Sequence, residues 1–202
     1  MRSKPPDRRC LTMPSGRSSM TVAAQTLPRM DPEAFLAFER DAECRHELVD
    51  GYLFAMTGAS ARHGEILANL LAAIHTHLRG GPCRVYGSNL KIRVEDDFFY
   101  PDLFVRCGQD QGDPYFKTDP LLIIEIHSPN TQRYDRGDKR LAYQRLDSLR
   151  DYVLIHQDAP LVEAFRRHDI GWYNQARIIR GPDGLLELPS IGLTIALADL
   201  YA

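Results

Sequence analysis

The segment Leu121-Leu122-Ile123-Ile124-Glu125-Ile126-His127-Ser128-Pro129 carries a carboxylate inside a run of aliphatic residues that is β-branched in its middle. Such a run reads as a fully buried central strand. An ionised Glu there is strongly destabilising unless it is paired, hydrogen-bonded or bound to a metal, so Glu125 is a candidate ligand. Strand side chains alternate with period two, which puts Glu125 and His127 on one face and Ile124 and Ile126 on the other. Upstream, Tyr100-Pro101-Asp102 precedes a second apolar stretch, Leu103-Phe104-Val105. Proline fits the start of a strand better than its interior. If the two strands are neighbours, the carboxylates of Asp102 and Glu125 converge, and two hard oxygen ligands with room for waters are the usual way of holding Mg²⁺.

The elements that must position these groups are legible around them. Thr131 is a plausible N-cap for a helix running to Leu146, with Leu141, Tyr143 and Leu146 among its apolar residues. Lys139 lies one turn after Asp135, and a helix packed back on the strand would aim its ammonium at the carboxylates. The most secure helix runs from Arg62 to Leu78, where Ile66, Leu70, Ile74 and Leu78 recur every four residues and Gly80-Gly81-Pro82 ends the pattern. His75 and His77 are two apart on it and cannot face one ligand, so they read as surface residues. Asp31-Pro32-Glu33 starts a short helix. Asp50-Gly51 is a hairpin turn between Leu48-Val49 and Leu53-Phe54. Val85 to Val94 reads as one half-buried strand with Lys91 and Arg93 on a solvated face that could meet phosphates. A turn at 95–97 returns the chain to Asp102. Asp151 to Ile155 is a further buried strand, Val162 to Arg166 another, and Trp172 to Gly184 a peripheral hairpin.

The ordered set Tyr100-Pro101-Asp102, Ile124-Glu125-Ile126-x-Ser128-Pro129-x-Thr131, Asp135-x-x-x-Lys139 and Tyr143 resembles the Uma-two family of restriction-endonuclease-like proteins, part of the PD-(D/E)xK nuclease superfamily. His46-Glu47-Leu48-Val49-Asp50-Gly51 is similar to the family's Tyr-Glu-Leu-x-Asp-Gly opening, and Ala59-Ser60-Ala61-Arg62-His63 to its small-residue loop before a His and a long helix. The resemblance spans roughly residues 30 to 202. It implies an α/β fold with a restriction-endonuclease-like mixed central sheet flanked by helices. It also implies metal-dependent endonuclease activity on phosphodiester bonds of DNA, with Mg²⁺ or Mn²⁺ held by Asp102 and Glu125. In the wider superfamily a lysine stands two residues after the Glu. Here that slot is His127, and Lys139 on the next helix takes the lysine's place. The resemblance makes Glu47 and His63 candidate supporting residues, against the plainer reading of Glu47 as a solvated acid at a strand end. His127 departs from the aliphatic residue more usual in the family. It is open as a third metal ligand, favouring Mn²⁺ or another transition ion, as a general base, or as a histidine hydrogen-bonded within the fold.

Composition bounds the alternatives. The chain has 202 residues, 44% hydrophobic and 26% charged, as expected for one ordinary globular domain at 30–202. No stretch has the length and apolarity of a membrane helix. The formal charge of −2 gives no bulk attraction to nucleic acid. Cys10, Cys44, Cys83 and Cys107 are far apart with no C-x-x-C pair, so neither a zinc ribbon nor a disulfide scaffold is expected and a reducing cytoplasm is the default. Residues 1–29 are basic, Pro- and Ser-containing and without periodicity, and are expected to form a disordered tail, unless translation begins at Met20 or Met30. The rival readings are a catalytically inactive nucleic-acid-binding or assembly module of the same fold, and a metal-dependent hydrolase with another substrate. Cutting both strands of a duplex would favour a homodimer.

Overall fold

A computed structural model of the chain describes residues 29–56, 58–109, 112–128, 131–173 and 175–202. The basic tail anticipated for residues 1–29 therefore lies almost wholly outside the described residues, as does Pro129. In chain order the elements are α1 (Pro32–Arg40), β1 (His46–Val49), β2 (Tyr52–Ala55), α2 (Ala61–Leu78), β3 (Cys83–Gly87), β4 (Lys91–Val94), β5 (Asp97–Phe99), β6 (Leu103–Cys107), β7 (Phe116–Lys117) and β8 (Leu122–His127). A helical segment follows, made of α3 (Gln132–Tyr134), a π-helical turn (Asp135–Lys139) and α4 (Arg140–Tyr143). Then come β9 (Asp151–His156), β10 (Leu161–His168), β11 (Gly171–Trp172), β12 (Arg177–Arg180), β13 (Leu185–Leu188), β14 (Leu193–Ala196) and α5 (Leu197–Leu200).

The chain divides into two compact units. The first comprises the described residues up to Gly58 together with Glu95–Phe99. In it α1 starts at Asp31, whose carboxylate accepts from the Ala34 N–H at 2.7 Å with Pro32 just inside the helix. β1 and β2 form the expected hairpin, and both turn residues have positive φ, 50° at Asp50 and 79° at Gly51, as the favoured two-residue hairpin turn requires. Phe35 of α1 packs on Phe98 of β5, with ring centroids 5.1 Å apart.

The second unit, Ala59–Val94 and Tyr100–Ala202, holds a mixed sheet in the order β11-β10-β9-β8-β6-β3, with β12 also paired to β10. β8 runs antiparallel to β6 and parallel to β9. That parallel pairing needs a crossover, and the helical segment after β8 supplies it. One sheet face is apolar. Ile66, Leu70, Ile74 and Leu78 of α2 form a core with Leu103, Val105, Ile124, Ile126, Val153, Ile155 and Val162. Full burial of each such side chain is worth about 1.5–3 kcal/mol. This alternation sends Glu125 and His127 to the opposite face, as their spacing predicts.

Three expectations are corrected. Residues 85–94 are two strands broken by a turn, where the Asn89 N–H meets the Gly87 carbonyl at 2.7 Å. Lys91 is accordingly buried, its ammonium 3.2 Å from the Tyr100 hydroxyl, and does not lie on a wet face. The helix expected over 131–146 is interrupted by the π-helical turn, in which each carbonyl skips one residue further than in an α-helix. Cys83 and Cys107 face each other across the antiparallel β3–β6 pair, with Cα atoms 3.9 Å apart, and are joined in a disulfide. Strand register brings them together, which sequence separation does not reveal.

Candidate active site

The candidate site is built on the polar face of the sheet where β6 begins and β8 ends. Asp102 directly precedes β6, and Leu103 stands opposite Ile124 in the antiparallel register. Asp102 and Glu125 are tied to each other's strands. The Asp102 N–H donates to Glu125 Oε2 at 3.2 Å, and the Ile126 N–H donates to Asp102 Oδ2 at 2.8 Å. Each carboxylate is thus oriented by the backbone of the other's strand, which fixes the pair without a flexible loop.

A histidine and a lysine approach this pair from two helical segments. Ser60 caps α2, its hydroxyl oxygen accepting from the His63 N–H at 3.1 Å, and so sets His63 in the first turn. His63 Nε2 lies 3.1 Å from Asp102 Oδ2. The hydrogen bond to Asp102 raises the imidazole's pKa, burial opposes it, and the charge on Asp102 adds to the rise. From the other side the π-helical turn delivers Lys139, whose Nζ is 3.1 Å from Glu125 Oε1. Lys139 is 6% exposed and Glu125 3%. The Tyr143 hydroxyl also donates to Glu125 Oε1, at 3.1 Å. A buried ion pair contributes little net stability because both charges are desolvated.

The turn that carries Lys139 is itself held. The Tyr152 hydroxyl donates to the Asp135 carbonyl at 2.9 Å. Burial, and then the charges of Glu125 and Asp135, push the Tyr152 pKa well above its ordinary value, so it remains a neutral donor.

Of the residues singled out in the sequence, Asp102, Glu125, Lys139 and His63 come together. His127 takes a different neighbourhood. Its ring meets that of His156 edge-on at 4.2 Å, in register across the parallel β8–β9 pair. Glu163 of β10 lies beyond, its Oε1 2.9 Å from His156 Nε2. Arg136 of the π-helical turn clamps Glu163, its Nε at 2.8 Å from Oε1 and 2.9 Å from Oε2, with Nη2 also on Oε1. His127 is 2% exposed, and among the described residues neither of its ring nitrogens has a hydrogen-bond partner. Burial first, and then the neighbouring His156, lower its pKa to about 4. Glu47 belongs to the first unit, where it is buried on β1 opposite Phe54.

Sequence reasoning did not single out His156, Glu163 or Arg136. A weak signal existed for Glu163, an acid between Val162 and Ala164 in an otherwise apolar stretch. Nothing in the sequence sets its register against His156. Glu163 is lowered in pKa even though burial, the largest single influence, opposes this. The hydrogen bonds and charges of Arg136 and His156 outweigh it.

Among solved structures, a crystal structure from Anabaena variabilis ATCC 29413, titled as a "putative nuclease belonging to DUF820", superposes with a TM-score of 0.72 at 20% identity, covering 85% of this chain and 97% of that one. The superposition shows that the two chains share a fold, here a mixed α/β arrangement. Two proteins of Synechocystis sp. (strain ATCC 27184 / PCC 6803 / Kazusa) are similar in sequence. The uncharacterized protein slr1290 is 34% identical over 177 residues, 86% of this chain and 92% of its own length. The uncharacterized protein sll1609 is 25% identical over 138 residues, 66% of this chain and 78% of its own. The family model of Uma2, described as "Putative restriction endonuclease", matches residues 32–198. With that match spanning most of the chain, this chain belongs to the Uma2 family.

Proposed function

We propose that the chain is a metal-dependent nuclease that hydrolyses phosphodiester bonds of DNA, with Asp102 and Glu125 as metal ligands and Lys139 at the reacting centre. The observation that carries this reading is the convergence of Asp102, Glu125 and Lys139 from β6, β8 and the π-helical turn, within hydrogen-bonding distance of one another's strands or side chains. Two carboxylates held on rigid strands are the donor set of a hard divalent cation such as Mg²⁺ or Mn²⁺. When bound, such an ion supplies Lewis acidity at the phosphate and a more acidic water.

The chain's own groups do the rest. Lys139 is three donors on one charge. Beside Glu125 it can hold the attacking water and balance the charge that builds on the phosphate oxygens as the new P–O bond forms and the bond to the leaving sugar oxygen breaks. His63 and the Ile126 N–H hold Oδ2 of Asp102, fixing the direction of the remaining carboxylate oxygen. Tyr143 holds Glu125 on the side of Lys139. The family description, and the fold shared with the chain titled a "putative nuclease", support this reading. The near-neutral formal charge of −2 favours recognition through a local site over broad electrostatic attraction.

The test is incubation of purified protein with supercoiled plasmid, linear duplex and single-stranded circles in EDTA, Mg²⁺ or Mn²⁺, beside Asp102→Ala. Cutting is expected with the divalent ions, and neither in EDTA nor in the variant. Absence of cutting on every DNA would refute the proposal and favour a binding module of the same fold. Undiminished cutting by Asp102→Ala would remove the assigned site.

A further inference from the structure

His127, His156 and Glu163 lie on the same sheet face as the carboxylate pair but are held by other partners. Their donor atoms all lie within 4.8 Å of one another. β8, β9 and β10 are adjacent, and the register places His127 beside His156 and Glu163 beside Leu154. Three rigid strands thus fix the backbone of each group. The second observation is the state of His127. An imidazole that is 2% exposed, with both ring nitrogens unpartnered among the described residues, leaves at least one buried donor and one buried acceptor unsatisfied. Each such loss is destabilising, because the group gives up its hydrogen bonds to water and gains none in the fold. An aliphatic side chain in that slot would avoid the cost, so packing does not account for the histidine.

We propose that His127, His156 and Glu163 form a second cation site, separate from Asp102 and Glu125 and selective for a divalent transition ion such as Zn²⁺. Two imidazoles and one carboxylate are borderline donors that favour Zn²⁺ and its first-row neighbours over Mg²⁺, which demands oxygen. Around a tetrahedral ion ligand atoms stand about 3.3 Å apart, so the three side chains close inward by about 1 Å or a little more, within reach of ring rotation. His156 exchanges its hydrogen bond to Glu163 Oε1 for the ion. Arg136 retains Oε2 through its Nε and keeps the carboxylate oriented, as outer partners of metal ligands do. His156 and Arg136 are more exposed than His127 and Glu163, so the cluster meets solvent on their side. The site stands independently of whether the chain cleaves DNA.

The test uses tag-free, chelator-stripped full-length protein and measures Zn²⁺ binding by equilibrium dialysis and by thermal shift, with Mg²⁺ as the parallel probe. Asp102→Ala reports on the first site. His127→Val and Glu163→Gln report on the second. Zn²⁺ is expected to bind wild type and Asp102→Ala equally and raise both melting temperatures, while His127→Val and Glu163→Gln weaken it at least tenfold. Mg²⁺ should give no shift that depends on His127. Because His127→Val removes unsatisfied buried groups, its metal-free melting temperature should equal or exceed that of wild type, which separates loss of a ligand from loss of fold. No Zn²⁺ binding by wild type, binding unchanged in His127→Val, or binding abolished in Asp102→Ala would each overturn the proposal.

Discussion

At the scale of single residues the decisive contact is between Lys139 and Glu125, two charges buried at 3.1 Å. Removing one member of a buried pair costs about 3–5 kcal/mol, because the other charge stays desolvated. Lys139→Ala should therefore be destabilised by that order in chelator, and a divalent cation should restore more of its melting temperature than it adds to wild type, since the ion then compensates Glu125. Turnover on DNA should fall at least a hundredfold even with the ion bound. Differential scanning fluorimetry with and without Mg²⁺, beside a cleavage assay, separates these effects. A variant that neither responds to Mg²⁺ nor turns over would make Lys139 a structural residue.

Among the elements, the C-terminal segment shows how the unit holding the site is locked. α5 packs Leu197 and Leu200 into the core, and Tyr201 just beyond it donates its hydroxyl hydrogen to the His156 carbonyl at 2.6 Å, with the Leu161 carbonyl at 3.3 Å. It thereby ties the chain end to both strands of the β9–β10 connection. Tyr201→Phe should cost about 1 kcal/mol at neutral pH, the net worth of a hydrogen bond. Burial, opposed by the Leu161 N–H that donates to the phenol oxygen at 3.4 Å and by the charge of Arg62, pushes the Tyr201 pKa up to about 12. The folded pKa is above the ordinary value of about 10, so the neutral hydroxyl contributes stability that is fully present below pH about 10 and is lost as pH rises toward 12. The melting temperatures of wild type and Tyr201→Phe should converge over that interval. Parallel curves would show that the hydroxyl stays neutral or that its bonds carry no stability.

For the molecule as a whole the controlling quantity is charge, 25 Lys and Arg against 27 Asp and Glu. With no excess of cations, recognition through a local site should involve few phosphates, and each contact adds about 0.9 to the magnitude of the slope of log K against log salt. Binding of the Asp102→Ala variant, which on the proposed function should not cut, to duplex DNA should thus have a shallow salt dependence, with a slope of about 3 or less by filter binding or fluorescence anisotropy. A steep slope would reveal a basic surface at odds with recognition through a local site. Among the described residues no helix is long and apolar enough to cross a membrane.

Local pattern by itself determined much of this protein. The four-residue recurrence from Ile66 to Leu78 fixed α2 and its buried face, Asp50-Gly51 fixed a hairpin, and alternation along 122–127 fixed that Glu125 turns away from Ile124 and Ile126. The order of motifs was enough to mark Asp102, Glu125 and Lys139 and to suggest the family. These are properties of neighbouring residues, set by helical and strand periodicities. Tertiary structure decided what depends on register and on strand order. It broke 85–94 into two strands and buried Lys91 on Tyr100, turned part of the helix after β8 into a π-helical turn that aims Lys139, and paired Cys83 with Cys107. It also took His127 away from the carboxylates and set it against His156 and Glu163. No periodicity within one strand determines which residue of a distant strand stands beside it. That is settled only when hydrogen-bonded ladders lock and a one-residue slip would turn every side chain to the wrong face.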